Sequence, residues 1–468
     1  MQKFAIIYGD LTSDIQKRAV EELTSILLDY THEYPACIKY EEDKNLDNYR
    51  CIYVGTKQTN EYIRKTSPKA LSIQEEYYIK VENNTSIIEG FDDAGVLYGV
   101  LDFYNKYIVD HEYPNTNKDK FWTNFLKNED LPSFEYCSSP SVKERGLWTW
   151  GHVIYDYKGY LDNMMKLKMN RVIIWNDFVP INAKEIIEYA HARNIKVIWG
   201  IAWLWDTNCK RFDLKNLEGK SEQIFAAYEK EYADVVGDGI YFQTFTELHT
   251  DNIDGVLIAD AAAKFVNRTV ALFYNKYPHL EIQFGLHATS VKTRLEFIKT
   301  VDPRVRIVWE DCGAFPFSYI PADVADFVQT EQFVQTIAQL RGENDRFGAI
   351  TKGFTKLDWL RFEHLNASHL LGVSSNLMRE TKIAHQKRTW RYMQAHWLAN
   401  ADKAYEAICQ MYRLKNGDLC IFALVEDGLF EENIMYPVAL YSEMLWDCNA
   451  ELKSMMSSVA LRSYVSFA

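Results

Sequence analysis

Apolar and polar positions change their rhythm twice along the chain. Residues 4–8 form a continuous apolar run that reads as a strand, and residues 14–30 repeat apolar side chains at helical spacing (Ile15, Ala19, Leu23, Ile26, Leu27) behind a Thr12-Ser13-Asp14 start signal. Short strands follow at 36–40 and 51–54. Runs at 77–81 and 86–89 flank Asn83-Asn84, a hairpin signal, and a helix opens near Asp93 and runs to about Tyr107. This pattern predicts a small α/β sandwich domain over 1–112. Residues 113–140 are polar and punctuated by Pro114, Pro132 and Pro140, so they read as a connector.

From Ser141 the rhythm is that of strands alternating with helices. Apolar runs recur at 146–150, 171–175, 196–203, 239–245, 281–287, 305–309, 347–353 and 369–374, each followed by an amphipathic or charged stretch. Continuous apolar strands separated by helices indicate a parallel sheet covered on both faces. Eight such units match a (β/α)8 TIM barrel, assigned to 141–400. A doubly wound open sheet is the alternative, but the chain carries neither GxGxxG nor GxxxxGK[ST]. The remainder, 401–468, reads as a C-terminal helical region. Trp390, Met393, Trp397 and Ala401 follow helical spacing and read as core. The fold class expected is therefore α/β, a TIM barrel with an N-terminal α/β sandwich domain and C-terminal helices.

The 468 residues carry 65 acids against 52 lysines and arginines, a net charge of −13. That balance argues against nucleic acid as a partner. No apolar run is long enough to cross a membrane, and the first residues read as a strand rather than a leader. The 8 cysteines are scattered with no CxxC, which argues against a zinc or redox motif. The expectation is a cytoplasmic protein with free thiols and no cofactor; a homodimer is compatible with it.

In a (β/α)8 barrel, chemistry sits at the C-terminal ends of the strands. Two residue types concentrate there. Seven of the 12 tryptophans (Trp148, Trp150, Trp175, Trp203, Trp205, Trp309, Trp359) lie at or just after predicted strand ends. An indole offers a flat partner for a sugar's C–H face, although any one of them could simply pack between strand and helix. Four acids, Glu247, Glu310, Asp311 and Asp358, fall at strand ends in the second half of the barrel. Glycoside hydrolysis needs two carboxyls flanking the scissile bond, one to protonate the leaving oxygen and one to activate water or attack. Strand alternation groups Tyr241, Gln243, Phe245 and Glu247 on one face, with Gln243 marking it as the barrel interior; Gln283, Gly285 and His287 group likewise. Arg306, Val308 and Glu310 form the more polar set of strand six, which favours Glu310 over Asp311 as the inward acid. Asp358 could instead cap a helix. Arg145, His152, Asn176, Asp206, His287 and Lys352 complete the candidate substrate contacts. Arg145 could equally pair with an acid in the barrel floor, and His152 and His287 could be core histidines.

The segment Ile87-Ile88-Glu89-Gly90-Phe91-Asp92-Asp93-Ala94-Gly95-Val96-Leu97-Tyr98-Gly99-Val100 resembles the end of the small domain that precedes the barrel in family 20 hexosaminidases and family 67 α-glucuronidases. The Arg145-Gly146 strand and Met169-Asn170-Arg171-Val172 resemble their first barrel strands. Family 20 enzymes carry an Asp-Glu pair at strand four; here Thr246 precedes Glu247, and the likeness to family 67 is greater. That resemblance implies an exo-acting glycosidase for a small oligosaccharide or glycoside. Glu247 would be its general acid and Glu310 or Asp311, with Asp358, the candidate base. Arg145 and Lys352 would be available to a substrate carboxylate. A non-catalytic carbohydrate-binding relative and a metal-assisted barrel enzyme are the alternatives.

Overall fold

A computed structural model describes residues 3–109, 133–203, 214–244, 250–287, 294–310, 327–342, 345–351, 365–425 and 429–467, with backbone only for Ala202, His287 and 327–331. Two compact units result. One comprises Met1–Pro140, His191–Asn194 and Lys453–Val465; the other comprises Ser141–Ala190, Ile195–Leu452 and Ser466–Ala468.

The first unit is built on a six-stranded sheet of order β2-β1-β3-β5-β4-β6. Its strands are β1 (Lys3–Tyr8), β2 (Ala36–Lys39), β3 (Tyr49–Gly55), β4 (Tyr77–Glu82), β5 (Thr85–Gly90) and β6 (Phe134–Ser138). β2, β1, β3 and β5 run parallel, whereas β4 is antiparallel to both β5 and β6. Helix α1 (Asp14–Thr31) starts where Ser13 accepts a hydrogen bond from the Gln16 amide at 3.2 Å. Asn83 turns the β4–β5 hairpin at φ 53°, a conformation asparagine tolerates better than most residues. Helix α2 (Asp93–Asp102) is capped by Asp92 and continues through a wider turn, Phe103–Ile108. β6 corrects the reading of 113–140 as a connector throughout. Its five residues alternate in exposure and pair with β4 from Tyr77↔Ser138 to Val81↔Phe134. An edge strand this short leaves little periodic signal between flanking prolines.

The second unit contains a closed barrel of eight parallel strands in chain order: Glu144–Trp150, Arg171–Trp175, Lys196–Ala202, Gly239–Gln243, Glu281–His287, Arg306–Glu310, Phe347–Thr351 and Leu419–Leu424. They are called here barrel strands one to eight. The eighth pairs with the first from Cys420↔Glu144 to Leu424↔Trp148. This is the expected TIM barrel, with one correction. The run at 369–374 is not the eighth strand. It lies in a segment that Asn182 holds through its side chain, accepting from the Leu371 amide at 2.9 Å and donating to the Leu371 carbonyl at 3.0 Å. The true eighth strand, Leu-Cys-Ile-Phe-Ala-Leu, comes after two helices, Asn376–Ala399 and Ala401–Lys415, and is buried throughout. The barrel therefore extends past 400, and 401–468 is not wholly helical.

The barrel interior is layered. At the N-terminal ends of the strands, Glu144 accepts from Arg306 at 2.7 Å and faces Arg171 at 3.2 Å, while Arg306 also faces Glu281 at 3.6 Å. Burial alone would raise the Glu144 pKa, but the two guanidiniums hold it well below the usual carboxylate range. Above this ionic floor lies an apolar layer that includes Ile173, Ile198, Val308 and Phe422.

Candidate active site

The acid at the end of strand six is the best-defined feature of the barrel's C-terminal half. Glu310 closes that strand and is 1% exposed. Its Oε1 accepts from the Tyr241 hydroxyl and from the Gln243 amide, both on strand four. Alternation explains the convergence: Tyr241 and Gln243 share one face of their strand, as do Val308 and Glu310 of theirs, and Tyr241 and Val308 lie together in the interior cluster. Burial, together with the facing Glu310 carboxylate, pushes the Tyr241 phenol far above its usual pKa, so it remains a donor. Two donors from one strand on one oxygen fix the carboxylate's orientation and complement its negative charge.

Gly285, on the intervening strand five, makes this meeting feasible. A Cβ there would collide with the Tyr241 hydroxyl and lie 2.8 Å from Glu310 Oε1. Gly285→Ala should displace both groups, costing about 1–3 kcal/mol as overpacked cores do. Turnover should fall together with the melting temperature, measured by steady-state kinetics and thermal unfolding. An unchanged protein would show that the contact has slack.

Beside this group stands an aromatic wall. Trp148 and Trp150 of strand one meet edge to face with centroids 4.4 Å apart. Trp175 of strand two and Trp148 lie 6.0 and 6.1 Å from the Tyr241 ring. Trp150 and Trp175 end their strands and so stand highest toward the mouth. Asn176 follows Trp175 and is buried; its amide donates to the Ile174 carbonyl at 3.1 Å, and a Cβ on Gly151 would collide with its Oδ1. His152 sits in the short helical turn Gly151–Val153 and is half-buried.

Three expected contacts are elsewhere. Trp203 stacks on Phe242 with centroids 3.6 Å apart and packs toward Phe273 of helix Ile258–Lys276, outside the barrel. Trp309 faces Phe333 of helix Phe327–Ala338. Arg145 points to the floor, where its guanidinium donates to the carbonyls of Val142, Lys143 and Lys168 and lies over the Trp446 ring, so it cannot meet a substrate at the mouth. Each is one residue out of step with its inward-facing neighbours. Of His287 only the backbone is described; it pairs with Glu310 in register. Trp205, Asp206, Glu247, Asp311, Lys352, Asp358 and Trp359 lie outside the described residues.

Sequence reasoning passed over Tyr241 and Gly285 as functional residues. Their signal was positional, since both share a parity with residues already assigned to the interior. It also passed over Glu431. This acid is buried after strand eight, and its Oε1 accepts from the amides of Tyr155 at 2.6 Å and Asp156 at 3.2 Å, tying down the loop after strand one. Burial raises its pKa from 4.5 to about 7 against those two hydrogen bonds. Below about pH 4.5 folded and unfolded chains both hold this proton. Between that value and about 7 only the unfolded chain releases it, so stability falls as pH rises, by up to about 3 kcal/mol in all. Glu431→Gln keeps the acceptor and removes the titration. Its melting temperature should gain on the parent's as pH rises from about 5 to about 8; parallel curves would contradict this.

Among the described residues no three His, Cys, Asp or Glu side chains are placed to hold a metal ion, and no helix is long and apolar enough to cross a membrane.

No family model matches the chain, and no curated protein matches it in sequence. Solved structures do. A β-N-acetylhexosaminidase from Bacteroides fragilis NCTC 9343 aligns with a TM-score of 0.57 at 14% identity, covering 100% of this chain and 93% of that one. A family 138 glycoside hydrolase targeting pectin rhamnogalacturonan II aligns with a TM-score of 0.53 at 13% identity, over 96% of this chain and 64% of that one. A family 115 4-O-methyl-α-glucuronidase with specificity for decorated arabinogalactans gives 0.56 at 12% identity, over 97% and 58%. The chain thus spans under two thirds of the length of two of these proteins. At such identities the likeness is one of fold: this chain has the (β/α)8 barrel architecture found in glycoside hydrolases.

Proposed function

We propose that the protein is a glycoside hydrolase working by two-carboxylate acid/base chemistry at the C-terminal mouth of the barrel. The observation that carries this reading is Glu310, buried at the end of strand six and oriented by Tyr241 and Gln243. An acid in a barrel interior is costly unless it is paired or used, and Tyr241 and Gln243 hold this one at the mouth end of its strand. The shared fold with glycoside hydrolases supports the same reading.

In this reading Glu247 gives its proton to the glycosidic oxygen as the C–O bond breaks. Glu310 takes a proton from the water that attacks the anomeric carbon. Glu310 is preferred over Asp311 and Asp358 because its inward placement is observed. Trp150 and Trp175 supply flat apolar faces for the sugar ring, and Asn176 a hydroxyl contact. The substrate is a small oligosaccharide or glycoside attacked from its end, with α-glucuronide and N-acetyl-β-hexosaminide the first specificities to try. A panel of aryl glycosides including both tests the proposal. Release of the phenol from at least one of them is expected; inertness toward the whole panel and toward natural oligosaccharides would oppose it.

A further inference from the structure

The chain on either side of strand eight carries two cysteines that meet in the folded protein. Cys409 lies in the helix Ala401–Lys415, before that strand, and Cys448 lies just after the helix Tyr436–Trp446, which follows it. Both are free thiols, buried at 5% and 7% exposure. The Cys409 thiol donates to the Cys448 carbonyl at 3.3 Å, and the two thiols hydrogen-bond each other. Their neighbours hold them in place. Tyr405, one turn before Cys409, donates its hydroxyl to the Ala450 carbonyl at 2.6 Å. The Cys448 amide donates to the Ser141 hydroxyl at 3.0 Å, and the Ser141 amide to the Trp446 carbonyl at 2.7 Å. Sulfurs brought together on a backbone fixed in this way can be bridged with little movement. Hydrogen bonds from Cys448 and Tyr405 draw the Cys409 thiol below its usual pKa despite its burial. The bond to Cys409, together with burial, pushes the Cys448 thiol up. Cys409 is therefore the sulfur that reacts first.

We propose that Cys409 and Cys448 form a redox staple, joining as a disulfide when the protein meets a small-molecule disulfide such as oxidised glutathione. The Cys409 thiolate attacks one sulfur of the reagent, which forms a mixed disulfide and releases one thiol. Cys448 then gives up its proton, attacks the Cys409 sulfur and expels the second thiol. One reagent disulfide is reduced to two thiols, and two protein thiols are oxidised to one bond. The segment closed by this bond, 409–448, contains strand eight, whose pairing with strand one completes the barrel. Constraining that loop in the unfolded chain favours the closed barrel. The inference is independent of the glycosidase reading.

Peptide mapping by mass spectrometry tests it, on the full chain incubated with oxidised glutathione and then alkylated. A Cys409–Cys448 linked peptide is expected, reversed by dithiothreitol, while the exposed Cys37 and Cys137 carry glutathione. In a Cys37→Ser/Cys137→Ser background, oxidation should raise the melting temperature by about 5 °C. Adding Cys409→Ser should abolish both the linked peptide and the rise. Cys448→Ala should do the same, so that a folding defect in one variant does not decide the outcome. Alkylation of both Cys409 and Cys448 after the incubation would overturn the proposal. So would a glutathione adduct persisting on either, a bond from either to another cysteine, or a linked pair with no gain in melting temperature.

Discussion

Glu310→Gln should lower kcat on the best aryl glycoside by about 10³-fold, within the 10²- to 10⁴-fold range of a positioned acid or base. The change is isosteric. The amide oxygen can still accept from Tyr241 and Gln243, so the melting temperature should stay within a few degrees and the substrate should still bind. What is lost is the ability to take a proton from water. A structural role alone predicts a different pattern, in which stability falls and kcat follows it. Measuring kcat, KM and thermal unfolding on the same preparation separates the two. Full activity in a folded Glu310→Gln protein would reduce Glu310 to a satisfied core acid.

Arg306→Met should have the largest effect on stability, about 3–5 kcal/mol, at the other end of the same strand. Arg306 and Arg171 together balance Glu144 and Glu281 inside the barrel floor. Removing one guanidinium leaves two buried carboxylates sharing one arginine. Glu144 would keep its 3.2 Å contact with Arg171, and Glu281 its 2.6 Å hydrogen bond from Gln283, but the cluster would carry a net buried charge. Because the two guanidiniums lower the Glu144 pKa from 4.5 to about 2, this contribution is full above about pH 4.5 and is lost progressively as pH falls toward about 2. The loss should appear in urea unfolding as a lower midpoint with the same slope. A variant as stable as the parent would mean that the apolar side chain packs as well as the ion pair, an outcome some buried clusters allow.

Much of the barrel could be read before the structure because parallel strands buried on both faces leave long apolar runs. Parity did the rest at strands four and six, where Gln243 and Arg306 marked the inward faces and so placed Tyr241 and Glu310 on the interior. The same rule, applied to every candidate, would have removed three of them. Arg145 alternates with the inward Glu144 and Trp148, Trp309 with Val308 and Glu310, and Trp203 follows the last residue of its strand. Position near a strand end says nothing about which way a side chain points. The eighth strand lies later than expected because the described residues between it and the seventh hold the long helices Asn376–Ala399 and Ala401–Lys415, and His-Leu-Leu-Gly-Val-Ser mimics a short apolar strand in the gap. β6 escaped because five residues of half-exposed edge strand carry too little periodicity. Glu431 had no local signal at all: its partners, Tyr155 and Asp156, are some 275 residues away and come together only when the barrel closes.

The central claim is that a sugar is bound and cleaved at the mouth where Glu310, Tyr241 and Gln243 meet. A crystal structure of the Glu310→Gln protein soaked with the glycoside that the parent hydrolyses tests it most directly. The account predicts an intact glycoside at the C-terminal end of the barrel, its ring against Trp150 or Trp175 and its anomeric carbon within one water of the residue 310 side chain. A glycoside bound away from that mouth, or with its anomeric carbon turned from strand six, would contradict it.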